Sequence, residues 1–146
     1  EALSRDTRDA VAFDEVIDRI IGLVRDLAPA YVPGGAIPTI TRVGACGDLP
    51  SDRATPLAMC VSELLQNAVE HGRASAIAVH IDHDGEVLTV TVEDDGVGLP
   101  SGFEIASAGL GLQIVESLST GELRGTFTIG PGEGGGTRAA VGLVVG

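Results

Sequence analysis

Two short segments that read as alternating strands, Ala76–Ile81 and Val87–Val92, stand on either side of Asp84-Gly85. Alternation of period two puts one set of side chains on a single face, and Asp-Gly suits a tight turn. The pair therefore reads as an antiparallel hairpin with one buried face, and a sheet of that kind needs a cover. Candidates for it lie on both sides. Phe13–Leu27 has helical periodicity, with Val16, Ile17, Ile20, Ile21, Val24 and Leu27 on one side, Asp14 as N-cap and Pro29 as the stop. A second helix, capped by Ser51 or Asp52, carries the stripe Leu57, Val61, Leu64, Leu65 and Ala68 and ends at Gly72. Leu110–Leu118 reads as a third. Ile37–Val43, Leu123–Ile129 and Thr137–Val145 read as further strands, with a turn at Pro33-Gly34-Gly35. Helices and strands mix without strict alternation, which predicts an α+β two-layer sandwich.

The chain's 146 residues suffice for one domain with a real core. That domain is expected to span 13–146, with the polar residues 1–12 as the tail of an upstream helix. A start at Glu1 rather than at Met reads as the cut edge of a longer protein. Net charge is −12, and the nine basic residues are all arginines scattered along the chain. That balance argues against a nucleic-acid surface and against contact with an acidic membrane. No apolar run approaches the length of a membrane span. Two unpatterned cysteines, Cys46 and Cys60, define neither a disulfide framework nor a zinc site, so a reduced, cytoplasmic chain is expected. The absence of lysine removes the P-loop and the protein-kinase strand lysine. A nucleotide here would have to be held by Mg²⁺, backbone amides and arginines.

Three segments carry candidate chemistry. Glu63, Asn67 and His71 are spaced i, i+4, i+8 and share one helix face, away from the apolar stripe. It reads either as a solvated face or as a metal–phosphate face, since Asn offers a hard oxygen suited to Mg²⁺ and Glu can polarise an attacking group. Asp95-Gly-Val-Gly98 follows an alternating strand. Asp-Gly is a common turn pair, but an Asp carboxylate can also accept a hydrogen bond from an exocyclic amine, beside glycines that let a flat base approach. Gly109-Leu-Gly-Leu112 opens a helix whose amides can cradle phosphate. Gly130-Pro-Gly132-Glu-Gly134-Gly135 matches the dinucleotide fingerprint only literally. It leads into a strand rather than a helix, so it reads as a glycine-rich hairpin loop. His80 and His83 are expected at exposed or hairpin positions rather than as a metal pair.

In this order and spacing the segments resemble the GHKL ATPase superfamily, which includes histidine kinases, anti-sigma-factor kinases, gyrase and MutL. Glu63-x-x-x-Asn67-Ala68 is matched to the N box, Asp95-Gly-Val-Gly98 to the first glycine box, Gly109-Leu-Gly-Leu112 to the second, and Gly134-Gly-Gly-Thr137 to the terminal one. The resemblance implies the Bergerat fold, a mixed sheet covered on one face by three helices. It implies ATP and Mg²⁺ as ligands, with Asn67 on the metal, Asp95 on adenine and Gly98 beside the base. Gly109, Leu110 and Gly111 would contact the triphosphate, Thr137 would lie near the adenine pocket, His71 would complete the N box, and Glu63 matches the general-base position. Ser51-Asp-Arg-Ala-Thr55, Asp95–Pro100 and Gly111-Leu-Gln-Ile-Val115 resemble the HisKA_2 type of sensor histidine kinase. The expected function is therefore that of a histidine-kinase catalytic domain. It would present the ATP γ-phosphate to a histidine on a separate dimerisation domain, from which a response regulator is served. An anti-sigma-factor serine kinase and an ATP-binding pseudo-kinase module are the alternatives. Glu70 departs from the pattern, because many histidine kinases have Lys there; Arg73 is a candidate replacement.

Overall fold

The hairpin is the centre of the sheet. In the computed structural model, which describes residues 10–31, 34, 37–71 and 73–145, β4 (Ala76–Asp84) and β5 (Val87–Asp94) pair antiparallel from Ile77↔Asp94 to Asp84↔Val87. Only Gly85 and Glu86 make the turn, and Gly85 takes φ +61°, which a side chain would resist. Before the hairpin come β1 (Ala10–Ala12), α1 (Phe13–Tyr31), β2 (Thr39–Val43), β3 (Asp48–Pro50) and α2 (Ser51–Glu70). After it come α3 (Leu110–Ser117), β6 (Thr126–Pro131) and β7 (Thr137–Val144). The main sheet has the order β2-β4-β5-β7-β6. Only β2 is parallel to its neighbour, β4, because α2 crosses between them.

One face of this sheet is apolar. Ile77, Val79 and Ile81 of β4, Leu88, Val90 and Val92 of β5, and Ala139, Val141 and Leu143 of β7 are all buried. α1 packs with Phe13, Ile17, Ile21, Val24 and Ala28, α2 with Leu57, Val61, Leu64 and Leu65, and α3 with Val115. Three helices over a mixed five-stranded sheet give the expected two-layer α+β architecture.

Several local expectations are corrected. α1 begins at Phe13, so Asp14 lies inside its first turn. Its carboxylate accepts the backbone N–H groups of Cys46 (2.9 Å) and Gly47 (2.8 Å), tying the loop after β2 to the helix instead of capping it. Leu27 is 54% exposed, and the buried stripe ends on Ala28 instead. The helix also continues past Pro29 to Tyr31, so the proline falls in its last turn and does not stop it. α2 starts at Ser51 after Pro50 with no side-chain cap, from Ser51 or Asp52. Ala10–Ala12 is a strand paired with β3, not helix. Leu123 is buried in the connection to β6, after a π turn at Leu118–Glu122, and the strand itself starts at Thr126. Residues 1–9, Pro33, Gly35 and Gly72, on which other expectations fell, lie outside the described residues.

Leu57 is fully buried between α2 and the sheet. Leu57→Ala is expected to lower unfolding free energy by about 2–5 kcal/mol, read as a shifted urea midpoint.

Candidate functional site

The setting of α2 that buries Leu57, Val61, Leu64 and Leu65 turns Glu63, Asn67 and His71 toward a cavity of about 730 Å³. Thus the i, i+4, i+8 face is a cavity wall, not a solvated flank. Across from it, the cavity is lined by the stretch Val97–Pro100 after β5 and by Ala108–Leu112 at the start of α3. Gly98, Gly109, Leu110, Gly111 and Thr137 therefore all reach it. Val92, Phe103, Leu112, Ile129 and Ala139 add apolar surface to the lining.

Of the two adjacent aspartates, Asp94 lines the cavity and Asp95, the expected one, does not. Alternation along β5 sends Leu88, Val90 and Val92 inward, and the same period carries Asp94 with them. Asp94 is 8% exposed and lines the cavity, where its carboxylate accepts the backbone N–H of Gly96 (2.8 Å). Asp95 falls on the other side. Its carboxylate accepts the N–H of Ser75 (2.8 Å), the N–H of Ala76 (3.0 Å) and the Ser75 hydroxyl (2.6 Å), and its own N–H donates to the Ala76 carbonyl (3.2 Å). It is exposed and clamps the end of β5 to the start of β4. The signal that would have separated the two was in the sequence: Asp94 continues the period of Leu88, Val90 and Val92, and Asp95 does not.

The two carboxyl groups titrate in opposite directions. Burial pushes Asp94 above the ordinary aspartate value, against the pull of the Gly96 and Thr137 amides. Hydrogen bonds from Ser75 and Ala76 hold Asp95 below it.

Missing side chains bring the backbones together. A Cβ on Gly98 would lie 2.8 Å from the Gly135 carbonyl oxygen, and one on Gly136 would run into the Asp94 carbonyl. Gly98 also has φ +77°. The loop from Gly132 to Gly136 is a hairpin connection between β6 and β7, closed by Gly132 N–H to the Gly136 carbonyl at 2.9 Å. No helix follows it, in keeping with the rejection of the dinucleotide fingerprint. A Cβ on Gly111 would lie 2.6 Å from Glu63 Oε2 and 3.7 Å from Asn67 Nδ2, so the first turn of α3 rests directly on the cavity-facing side of α2. Asn67 Nδ2 is the one buried side-chain polar atom without a hydrogen-bond partner among the described residues. An orphaned amide inside a cavity marks a place where a ligand completes the bonding.

Glu70 lines the mouth of the cavity, while Arg73 is exposed and does not line it. His80 is half-buried and His83 exposed on β4; among the described residues no group of three or more His, Cys, Asp or Glu side chains is placed to hold a metal. Both cysteines are free. No described helix is long and apolar enough to cross a membrane.

Comparisons with other proteins agree with this fold. Residues 52–145 match the family described as histidine kinase-, DNA gyrase B-, and HSP90-like ATPase. The sensor histidine kinase PdtaS of Mycobacterium tuberculosis is 42% identical over 133 residues, covering 87% of this chain and 26% of that protein. PdtaS of Mycolicibacterium smegmatis is 38% identical over 152 residues, covering 100% of this chain and 30% of that protein. The chain therefore spans between a quarter and a third of these relatives' length. Among solved structures, the histidine kinase domain of the blue-light-activated kinase EL346 of Erythrobacter litoralis superposes with a TM-score of 0.79 at 28% identity, over 92% of this chain and 62% of that one. The ATP-binding domain of PrrB of M. tuberculosis has the same fold, with a TM-score of 0.74 at 21% identity over 94% of this chain and 96% of its own.

A raised carboxyl pKa means that the folded state favours the protonated form. The contribution of Asp94 to stability is full below the ordinary aspartate pKa and is lost as pH rises through its higher folded value. Asp94→Asn is therefore expected to melt at or above the wild-type temperature at about pH 7, with the advantage fading toward about pH 3 in a calorimetric series.

Proposed function

Because the chain belongs to the histidine kinase-, DNA gyrase B-, and HSP90-like ATPase family, we propose that it is the ATP-binding catalytic domain of a sensor histidine kinase. The observation that carries this reading is Asp94, a buried acceptor among apolar walls, with the orphaned Asn67 amide and the α3 start in the same cavity. An adenine ring fits such a place. Its exocyclic amine donates to the Asp94 carboxylate, Val92, Ile129 and Ala139 exclude water from it, and Gly98 leaves room for the base edge. The triphosphate then runs toward α3, whose first amides at Leu110 and Gly111 have no partners within the helix and point positive charge outward.

Mg²⁺ suits the residues present. Asn67 carries a buried, unpartnered amide, and the nitrogen and oxygen of such an amide are exchangeable assignments, so a hard oxygen is available. Bound there beside the phosphates, the ion would supply charge neutralisation for the transferring group. Asn67 holds and orients that end of the nucleotide. Glu63, against the first turn of α3, orients the incoming nucleophile or accepts its proton. In the reaction proposed, the bond between the γ-phosphorus and the β–γ bridging oxygen breaks, ADP leaves, and a phosphorus–nitrogen bond forms to a histidine on a separate dimerisation domain. The fragment works by positioning and charge rather than by covalent chemistry of its own. A response regulator receives the phosphoryl group through that dimerisation domain, and the work is done in the cytoplasm.

Asp94→Asn is expected to weaken ATP binding about 10- to 100-fold by titration calorimetry, because an accepting oxygen becomes an opposing donor. Asp95→Asn keeps an oxygen for the Ser75 and Ala76 amides and is expected to stay within about threefold of wild type. The reverse ranking would return the adenine contact to Asp95.

With γ-labelled ATP and the histidine-bearing dimerisation domain added in trans, label is expected on that domain in acid-labile form. Asn67→Ala should reduce it at least about 100-fold. Acid-stable label on a serine of a partner protein would replace this reading with that of an anti-sigma-factor kinase.

A further inference from the structure

The cavity has the wrong charge for a polyanion. Glu63, Glu70 and Asp94 line it, the chain has no lysine, and among the described residues no arginine lines it and His71 is the one basic side chain that does. The segment Pro100–Ala108 across the mouth brings Glu104 and no basic residue. Arg73, the arginine nearest in sequence to α2's functional face, is exposed and outside the lining.

The three lining carboxylates differ in how far their charge is offset. That of Asp94 receives the backbone N–H of Gly96. That of Glu63 sits against Gly111 in the first turn of α3, where the positive end of the helix faces it. Glu70 is exposed on the last turn of α2 and has no ion-pair partner among the described residues. The negative end of the α2 dipole adds to its charge instead of opposing it.

Resting on the nucleotide reading above, we propose that Glu70 makes this cavity a charge filter: it repels a free polyphosphate and admits the same nucleotide as its divalent-metal complex. The metal cancels part of the phosphate charge before the ligand passes the carboxylate. Discrimination then belongs to the mouth of the cavity as well as to the Asn67 end. The filter has a distinctive salt signature. Binding of a polyanion to a cationic site weakens as salt rises, because attraction is screened. Here salt screens a repulsion, so metal-free ATP binds more tightly as ionic strength increases.

The test is titration calorimetry on this chain with ATP plus EDTA and with ATP plus Mg²⁺, at low and moderate ionic strength, for wild type, Glu70→Gln and Glu70→Lys. Circular dichroism checks that each exposed-site variant is folded. Chelation is expected to weaken wild-type binding about 100-fold. Glu70→Gln should recover about three- to tenfold of the metal-free affinity, and Glu70→Lys more, while Mg·ATP affinity changes by less than about threefold. Metal-free ATP should bind wild type more tightly at the higher salt, and Glu70→Lys should reverse that slope. A metal-free to metal-bound ratio unmoved by either variant, or a wild-type slope that falls with salt, overturns the filter and leaves the nucleotide site standing. Failure of wild type to bind Mg·ATP at all overturns the function proposed above, and the filter with it.

Discussion

The rotational setting of α2 on the sheet decides where the rest of the site lies. Successive residues turn by about 100°, so a helix that commits Leu57, Val61, Leu64 and Leu65 to the core has no freedom left for its other faces. Burying each such side chain contributes about 1.5–3 kcal/mol, more than any single polar contact on the opposite wall. Packing therefore sets the helix, and Glu63, Asn67 and His71 follow. They occupy the flank of the buried stripe rather than its back, which is why Asn67 is half-buried and can have an orphaned amide at all. A back-facing asparagine would have been satisfied by water.

Much of this was legible in the sequence, because core and sheet obey periods that a one-dimensional chain displays. The β4–β5 hairpin, the three covering helices and the cavity-facing trio were read from spacing of 2.0 or 3.6. What escaped was short or was settled by tertiary contact. The β1–β3 pairing is three residues long on each side, too short for a period to appear. Asp14 has the chemistry of a cap, and only the fold brings the Cys46–Gly47 amides to it from more than thirty residues away. The confusion of Asp94 with Asp95 had another origin. Asp95-Gly is a turn pair that draws the eye to Asp95, whereas the period of Leu88, Val90 and Val92 carries the inward position to Asp94.

The glycine boxes have a common physical basis. Gly98 meets the Gly135 carbonyl, Gly136 meets the Asp94 carbonyl, and Gly111 meets Glu63, each at a separation that leaves no room for a methyl group. At Gly98 and Gly136 distant segments touch through bare backbone, and at Gly111 the start of α3 rests on the Glu63 carboxylate. Their legibility in sequence and their closeness in space have the same cause: the contact tolerates one residue type.

The Asp95 clamp bears on a hazard peculiar to adjacent identical residues. At the end of β5 the chain offers two aspartates in succession, and a bulge of a single residue would exchange them. The clamped carboxylate would enter the cavity, and the cavity carboxylate would leave it. Side-chain chemistry cannot tell these two states apart. The donors can: Gly96 and Thr137 wait on one side, and Ser75 and Ala76 on the other. Between them they act as a frame marker on the strand, so that a choice invisible to composition is made by backbone amides that are themselves fixed by the sheet.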